Sequence, residues 1–307
     1  MPPLRPDLTP RELLLDIARC PTMKAHLEGE GGDPLCREVV LHQWQNVPDL
    51  EARKRRWRRE HHTPVPWVGH LETAPILFVS SNPNLAPNDL RKPKEEEIPD
   101  PEPLEGLRDA TLEEHPSLRK PFRAPKRYWD PDEVVDYYEN HFGVWVKDDG
   151  ATPLSATSRR RAKVPYWAFS HCQAQELFPD RLVRAGVDYS VTEVVHCKSG
   201  AEDGVDDALE PCADRYLHAV LSTSPARVVV AVGVKAAKAF EGLKVERDER
   251  TPVTEITLGG SPRLLLFLPH PTWLRRQPKE VAEALVLPAA VSPENLAELR
   301  AAVLAAS

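Results

Sequence analysis

Arg227–Gly233 reads RVVVAVG, an unbroken run of valine and alanine closed by a glycine. A run without polar alternation needs cover on both faces, as the strands of a parallel sheet do. Working outward, Ser190–Cys197 (SVTEVVHC) and Arg263–His270 (RLLLFLPH) are apolar runs of the same strand length. A helical pattern, Asp206–Leu221, separates the first two runs, and VKAAKAFEGL follows Gly233. Upstream, Pro75–Ser80 (PILFVS) reads as a further buried strand running into the turn SSNPN. Downstream, PENLAELRAAVLAA reads as a closing amphipathic helix capped by Ser292. Buried strands alternating with helices predict an α/β fold, a three-layer α/β/α sandwich around a mostly parallel central sheet.

The 307 residues are expected to form one domain in three parts. Residues 1–70 look helical, with Leu13, Leu14 and Ile17 at helical spacing after a Thr9-Pro10 start. Glu51–His62 continues that pattern and carries six Lys or Arg between Arg53 and Arg59. Residues 85–160 read as a long, proline-rich, acidic insertion, with eight prolines between Pro87 and Pro125 and a helix over Asp132–His141. Residues 165–307 hold the core. No apolar run approaches the ~18 residues of a membrane span, and MPPLRPDLTP lacks the apolar centre of a signal peptide. A cytoplasmic monomer is expected, without a membrane partner.

The formal net charge of −7 argues at first against a nucleic-acid partner. It is unevenly spread. Residues 91–115 carry four basic and nine acidic side chains and residues 130–150 one and seven, which leaves the rest of the chain at +4. Arg53–Arg59, Arg119–Arg127 and Arg159–Lys163 are basic runs. Each reads as solvated surface or, if it flanks the site, as a phosphate contact.

Ligands of parallel α/β sheets bind where strands deliver their C-terminal ends. Three such ends carry polar side chains: SSNPN (80–84), EVVHCKS (193–199) and LPHPTW (268–273). Ser80-Ser81-Asn82-Pro83-Asn84 is similar to the G-x-[D/N/A]-P-[Y/G] turn of the uracil-DNA glycosylase superfamily. His270-Pro271-Thr272 is similar to that superfamily's HP[S/T] motif. Between them, EVVHCKSG and DDALEPCADRYLHAVLSTSPARVVVAVGVKAAKAF most resemble the branch that carries an iron–sulfur cluster. The resemblance covers roughly residues 75–84 and 165–276, and it rests on the order and spacing of motifs that are each weak alone.

The resemblance implies a monofunctional DNA glycosylase that hydrolyses the N-glycosidic bond of a flipped-out base. Asn82 would hold the attacking water and His270 would donate to the base as negative charge grows on it. Each also has a plainer reading, Asn82 as a turn former before proline and His270 as a strand-end cap. Ser81 and Asn84 would border the base, and Tyr166, Trp167 and Phe169 are the stacking candidates. Thr272, Trp273, Leu274 and Arg275 would meet DNA, with Trp273 and Leu274 as the wedge, and Arg159, Arg160 and Arg161 would contact phosphates. No lysine occupies a motif position, so Schiff-base chemistry is not implied.

Two departures bear on the substrate. Many relatives read the base with an Asn on the middle strand, and Glu193 stands at that position. An ionised carboxylate only accepts hydrogen bonds, which suits an exocyclic amine such as cytosine N4. Alternatively, Glu193 faces the core and pairs with a basic residue. Asn84 stands where thymine-excluding members place Tyr, leaving room for a 5-substituent. Together these favour a modified cytosine and, by similarity to antiviral members that attack phage DNA, a defence role. The alternatives are uracil removal in base-excision repair and a non-catalytic DNA-binding member of the fold.

Five cysteines, an odd number in a chain expected to be cytoplasmic, do not suggest a disulfide framework. By resemblance, Cys197 and Cys212 match two cluster ligands. The branch's C-x-x-C is absent, because Cys20 is followed by Pro-Thr-Met23, and Cys36 would take the remaining place. A [4Fe–4S] cluster on Cys20, Cys36, Cys197 and Cys212 is one reading and buried thiols the other. A metal hydrolase built on His196 and His270 lacks any supporting ligand spacing.

Overall fold

The computed structural model describes residues 8–42, 64–83, 134, 135, 138, 165–199, 202–243, 253–258 and 260–306. The three basic runs, Asn84, Arg159, Arg160, Arg161 and nearly all of the acidic insertion lie outside the described residues. Of the helix expected over Asp132–His141, Val134, Val135 and Tyr138 are described, and all three are helical and buried.

Three helices open the chain: α1 (Pro10–Ala18), α2 (Pro21–Glu28) and, after a 3-10 turn, α3 (Arg37–His42). Thr9 and Glu12 cap α1 reciprocally, each side chain bonding the other's backbone N–H, and Leu13, Leu14 and Ile17 face the core. A short edge strand β1 (Trp67–Val68) and the buried strand β2 (Ile76–Ser80) follow. Helix α4 (Pro165–Leu177) leads to β3 (Tyr189–Glu193). Then come α5 (Val205–Cys212), a π-helical turn over Ala213–Leu217, α6 (His218–Thr223) and β4 (Val228–Val232). Helix α7 (Val234–Gly242) precedes β5 (Val253–Leu258) and β6 (Ser261–Leu268). The short helices α8 (Pro271–Leu274) and α9 (Lys279–Ala284) and the closing α10 (Pro293–Ala306) complete the described chain. Ser292 caps α10, accepting from the Asn295 N–H at 3.2 Å.

The six strands lie in the order β1-β3-β2-β4-β6-β5. β3, β2, β4 and β6 are mutually parallel, and β1 and β5 close the two edges antiparallel. All five residues of β4 are buried, so both faces of the sheet's centre are covered. Helices α7 and α10 both rest on β4, with α5 packed beside α7 and α4 beside α10. The α/β architecture of the sequence reading is therefore present. The chain steps from β2 outward to β3, returns to β4 on the other side of β2 and continues to β6. This places the topological switch between β2 and β4, where such sheets open a crevice at their C-terminal ends.

Three details differ from the sequence reading. The run expected to be a strand to Cys197 leaves the strand at Glu193, because its neighbour β2 ends in the Asn82-Pro83 turn. Residues 194–199 continue as a buried loop, with His196 and Val65 exchanging backbone hydrogen bonds with side-chain help: Val65 N–H donates to the His196 carbonyl at 2.9 Å and His196 Nδ1 bonds the Val65 carbonyl at 2.7 Å. The single helix expected over Asp206–Leu221 is interrupted by its π-helical turn just after Pro211, which lacks the N–H an α-helix interior requires. Finally, β5 is not among the strands expected from the sequence; VTEITL mixes polar and apolar residues because it is a half-exposed edge.

Among the described residues no helix is long and apolar enough to cross a membrane.

Candidate functional site

Strands β2 and β3 run in register, so Ser80 and Glu193 stand side by side at their ends. Beyond them the two segments stay stitched together. Val194 and Val195 donate to the Ser80 and Ser81 carbonyls, both at 2.9 Å, and Ser199 N–H donates to the Pro83 carbonyl at 3.2 Å. The Ser80 hydroxyl donates to Glu193 Oε2, and the Tyr166 ring from α4 comes close enough for its buried hydroxyl to feel the Glu193 charge.

Burial pushes the Glu193 carboxyl up to about 8; the Ser80 hydrogen bond opposes this and the Glu202 charge adds to it. At neutral pH Glu193 is therefore mainly a neutral acid. This corrects the expectation of an acceptor-only carboxylate: a protonated carboxyl both donates and accepts. Its partner is a serine hydroxyl rather than a basic side chain. Burial, then the neighbouring Glu193, holds the Tyr166 phenol well above its usual range, so it too is neutral.

His270 follows β6 and caps α8. Its Nδ1 accepts the Thr272 N–H at 3.3 Å, which leaves the proton of the neutral ring on Nε2. Burial lowers the His270 pKa, against the pull of Glu202, and so favours that neutral form. The ring lies nearly parallel to Tyr166, 15° between planes with centroids 6.0 Å apart. Gly233, at the end of β4, makes this placement feasible. Its φ is +88°, and a Cβ there would stand 3.1 Å from His270 Cβ.

Asn82 is partly buried and its amide Nδ2 donates to the Pro83 carbonyl at 3.0 Å, which turns Oδ1 to the acceptor role. Beside it, the Ser81 hydroxyl donates to Glu202 Oε1 at 2.6 Å. Glu202 Oε2 lies 3.4 Å from Lys235 Nζ on α7, and Lys235 is 2.8 Å from Asp206 on α5. Sequence reasoning missed Glu202. It lies in an acidic stretch, SGAEDGVDD, where no spacing distinguishes one carboxylate from the next.

The aromatic candidates separate by position. Trp167 is buried in the hydrophobic core and Phe169 packs against that core, while Tyr166 reaches Glu193 and His270. On α8, Trp273 is 47% exposed, Thr272 and Arg275 are exposed, and Leu274 is buried. Of the two wedge candidates, only Trp273 projects from the surface.

On the other side of residues 194–199, Cys20, Cys36, Cys197 and Cys212 line one cavity of about 40 Å³, together with Val195 and Tyr216. Gly204, just before α5, brings that helix against α3: at φ +71° its missing Cβ would fall 2.4 Å from the Val39 nitrogen, so the two helices meet only because no side chain intervenes. Burial, then Cys20 and Asp33, pushes the Cys36 thiol up to about 12, and burial raises Cys197 and Cys212 as well. Each of these three thiols senses Cys20, and the Arg215 guanidinium pulls Cys36 and Cys212 the other way. Among the described residues no three His, Cys, Asp or Glu side chains are arranged to hold a single metal ion. One ion needs sulfurs at about 2.3 Å, whereas a cluster spreads its thiolates around a wider void. Cys172 is exposed on α4 and takes no part. His196 is buried, held neutral with its pKa lowered by burial to about 4, and bonded to Val65, as a structural histidine is.

The family model for the uracil DNA glycosylase superfamily matches residues 156–290. That span contains Tyr166, Glu193, Glu202, Cys197, Cys212 and His270; Asn82, Cys20 and Cys36 lie before it. No curated protein matches the chain significantly.

Proposed function

The chain belongs to the uracil DNA glycosylase superfamily through residues 156–290, and on that premise we propose that it is a monofunctional DNA glycosylase acting on a flipped-out pyrimidine. The observation that carries this reading is the convergence of Asn82, Glu193 and His270 at one end of the sheet, beside the switch between β2 and β4. Glycosidic cleavage leaves negative charge on the departing base and positive charge on the sugar. A neutral imidazole with its proton on Nε2 is suited to donate to a base carbonyl as that charge grows. Asn82 Oδ1 is suited to accept from and orient the attacking water. Glu193 reads the base edge, Tyr166 offers a ring to stack on, and Trp273 projects where it can fill the gap left in the duplex. Lys235 does not act as a nucleophile. Burial pulls its ammonium down, but the hydrogen bond to Asp206 and the Glu202 charge outweigh that and keep it protonated.

A neutral Glu193 can pair with N3 and N4 of cytosine or, with its groups exchanged, with N3–H and O4 of uracil. A modified cytosine is favoured by the small Asn84 at the position that excludes 5-substituents elsewhere in the superfamily, and a defence role goes with that substrate. Uracil, and with it a repair role, is favoured by the amide-like donor and acceptor of the protonated Glu193. The deciding assay gives the purified chain uracil, 5-hydroxymethylcytosine and glucosylated-cytosine substrates, single- and double-stranded, and scores abasic sites. Excision of the modified cytosines assigns the defence role and excision of uracil alone assigns repair. Tight binding with no base released from any of them would overturn the glycosylase reading.

The four-thiol cavity fits a [4Fe–4S] cluster by its donor set, and Cys20, Cys36, Cys197 and Cys212 would hold it. Such a group would supply a structural cross-link between the N-terminal helices and the loop after β3. An anaerobic preparation is expected to be brown, with iron and acid-labile sulfide that Cys36→Ser lowers; a colourless preparation would count against it.

A further inference from the structure

Asn82 can orient a water but cannot take its proton, so the site needs a base from elsewhere. His270 does not supply one: its Nδ1 is occupied by the Thr272 N–H and its Nε2 carries a proton. Glu193 is buried beside Ser80 and Tyr166, on the side that reads the base. Tyr166 is a buried phenol.

Glu202 is differently placed. Its carboxylate is held by the hydroxyl of Ser81, the residue next to Asn82, at 2.6 Å. Its charge acts on both His270 and Glu193, so it lies within electrostatic reach of both. Its side chain is 44% exposed, open to a ligand in the crevice. Lys235 touches it at 3.4 Å but lies closer, at 2.8 Å, to Asp206, so the ion pair leaves Glu202 only partly neutralised. The backbone at Glu202 has φ +62°, the one positive value at a non-glycine residue among those described. That conformation is costly for a glutamate, and here it coincides with a carboxylate aimed at the Ser81-Asn82 turn.

Building on the glycosylase reading, we propose that Glu202 is the general base of the reaction, supplying the carboxylate that the Asn82 position lacks. A water oriented by Asn82 Oδ1 attacks C1′ of the flipped nucleotide. The C1′–O bond forms as the C1′–N bond breaks, and the electron pair of the broken bond leaves on the base, stabilised by His270 Nε2–H. The water's proton passes to Glu202 and from there to solvent. The same negative charge opposes the positive charge that develops on the sugar. Among the described residues, Lys235, His270 and Glu193 sense its charge, Asp206 shares Lys235 with it, and Ser81 fixes its direction.

The test uses the full chain and whichever of the uracil, 5-hydroxymethylcytosine or glucosylated-cytosine substrates it excises; excision of none of them would refute the glycosylase reading itself rather than this assignment. Glu202→Gln keeps an acceptor for Ser81 but cannot take a proton. It is expected to lower the single-turnover rate at least roughly 100-fold, while affinity for a duplex with a tetrahydrofuran abasic analogue and the melting temperature stay near wild type. Glu202→Gly relieves the backbone strain and opens the space, and added formate or azide is expected to restore part of its rate. Wild-type-like turnover in Glu202→Gln would overturn the proposal. So would a Ser81→Ala variant as slow as Glu202→Gly combined with no rescue by either anion, which would make Glu202 a positioning residue for the turn.

Discussion

Replacing Glu193 by Gln swaps a titrating carboxyl for an amide that donates and accepts at every pH. In the folded chain the Glu193 carboxyl is pushed up to about 8 from its ordinary 4.5, chiefly by burial. Between those values the native state holds a proton that the unfolded chain has released, so the contribution of Glu193 to stability is greatest below about pH 4.5 and falls as pH rises towards 8. At about 1.4 kcal/mol per pH unit, the three units from pH 5 to pH 8 amount to roughly 4 kcal/mol. Glu193→Gln has no proton to release at that position. Its stability relative to wild type should therefore improve by roughly 4 kcal/mol from pH 5 to pH 8, measured by urea unfolding of both proteins at each pH. Comparing the two proteins at each pH cancels the titrating groups that do not interact with Glu193. A difference that stays constant across this range would refute the assignment of Glu193 as a buried neutral acid. Excision should follow the same logic, with the wild-type rate falling above pH 8 and that of Glu193→Gln not falling.

His270→Ala removes the donor to the departing base and should lower the excision rate roughly 100- to 1,000-fold in single-turnover assays, with DNA affinity retained. Gly233→Ala places a methyl 3.1 Å from His270 Cβ at φ +88°; it should cost about 1–2 kcal/mol in denaturant unfolding and slow excision beyond what that loss explains. Trp273→Ala should weaken binding to the substrate duplex severalfold while leaving the melting temperature unchanged, since the residue is 47% exposed. Asn82→Ala should abolish detectable turnover but keep binding to abasic DNA; equal loss of both would point to a structural turn residue instead.

The strands that build the sheet's centre were readable because burial on both faces leaves an unmistakable apolar run: β2 and β4 lie inside runs marked by composition alone, and β6 overlaps such a run but begins two residues before it, at Ser261. The convergence of Cys20 and Cys36 with Cys197 and Cys212 was readable only through motif order, since no local spacing joins residues so far apart. β5 escaped because an edge strand mixes polar and apolar residues. Helix α4 escaped because PYWAFSHCQAQEL lacks a clear apolar stripe. The protonation of Glu193 could not be read either, because it depends on how deeply the β3 end is buried. Glu202 depends on one backbone angle and one serine hydroxyl, neither of which has a signature in composition.

The strand order also governs when activity can arise during synthesis. β5 leaves the ribosome before β6, yet among the described strands β6 is its only neighbour in the sheet, and β6 also covers the open flank of β4. A nascent chain that ends before residue 261 thus exposes the edge of its most apolar strand and has a dangling β5. His270 is delivered two residues after β6 ends, by the same event that seals the edge. A product stalled there holds Asn82, Glu193 and Glu202 but lacks His270, the group that the glycosylase reading assigns to receive the charge of a departing base. On the glycosylase reading, chemistry directed at DNA is withheld until β6 and His270 have been made.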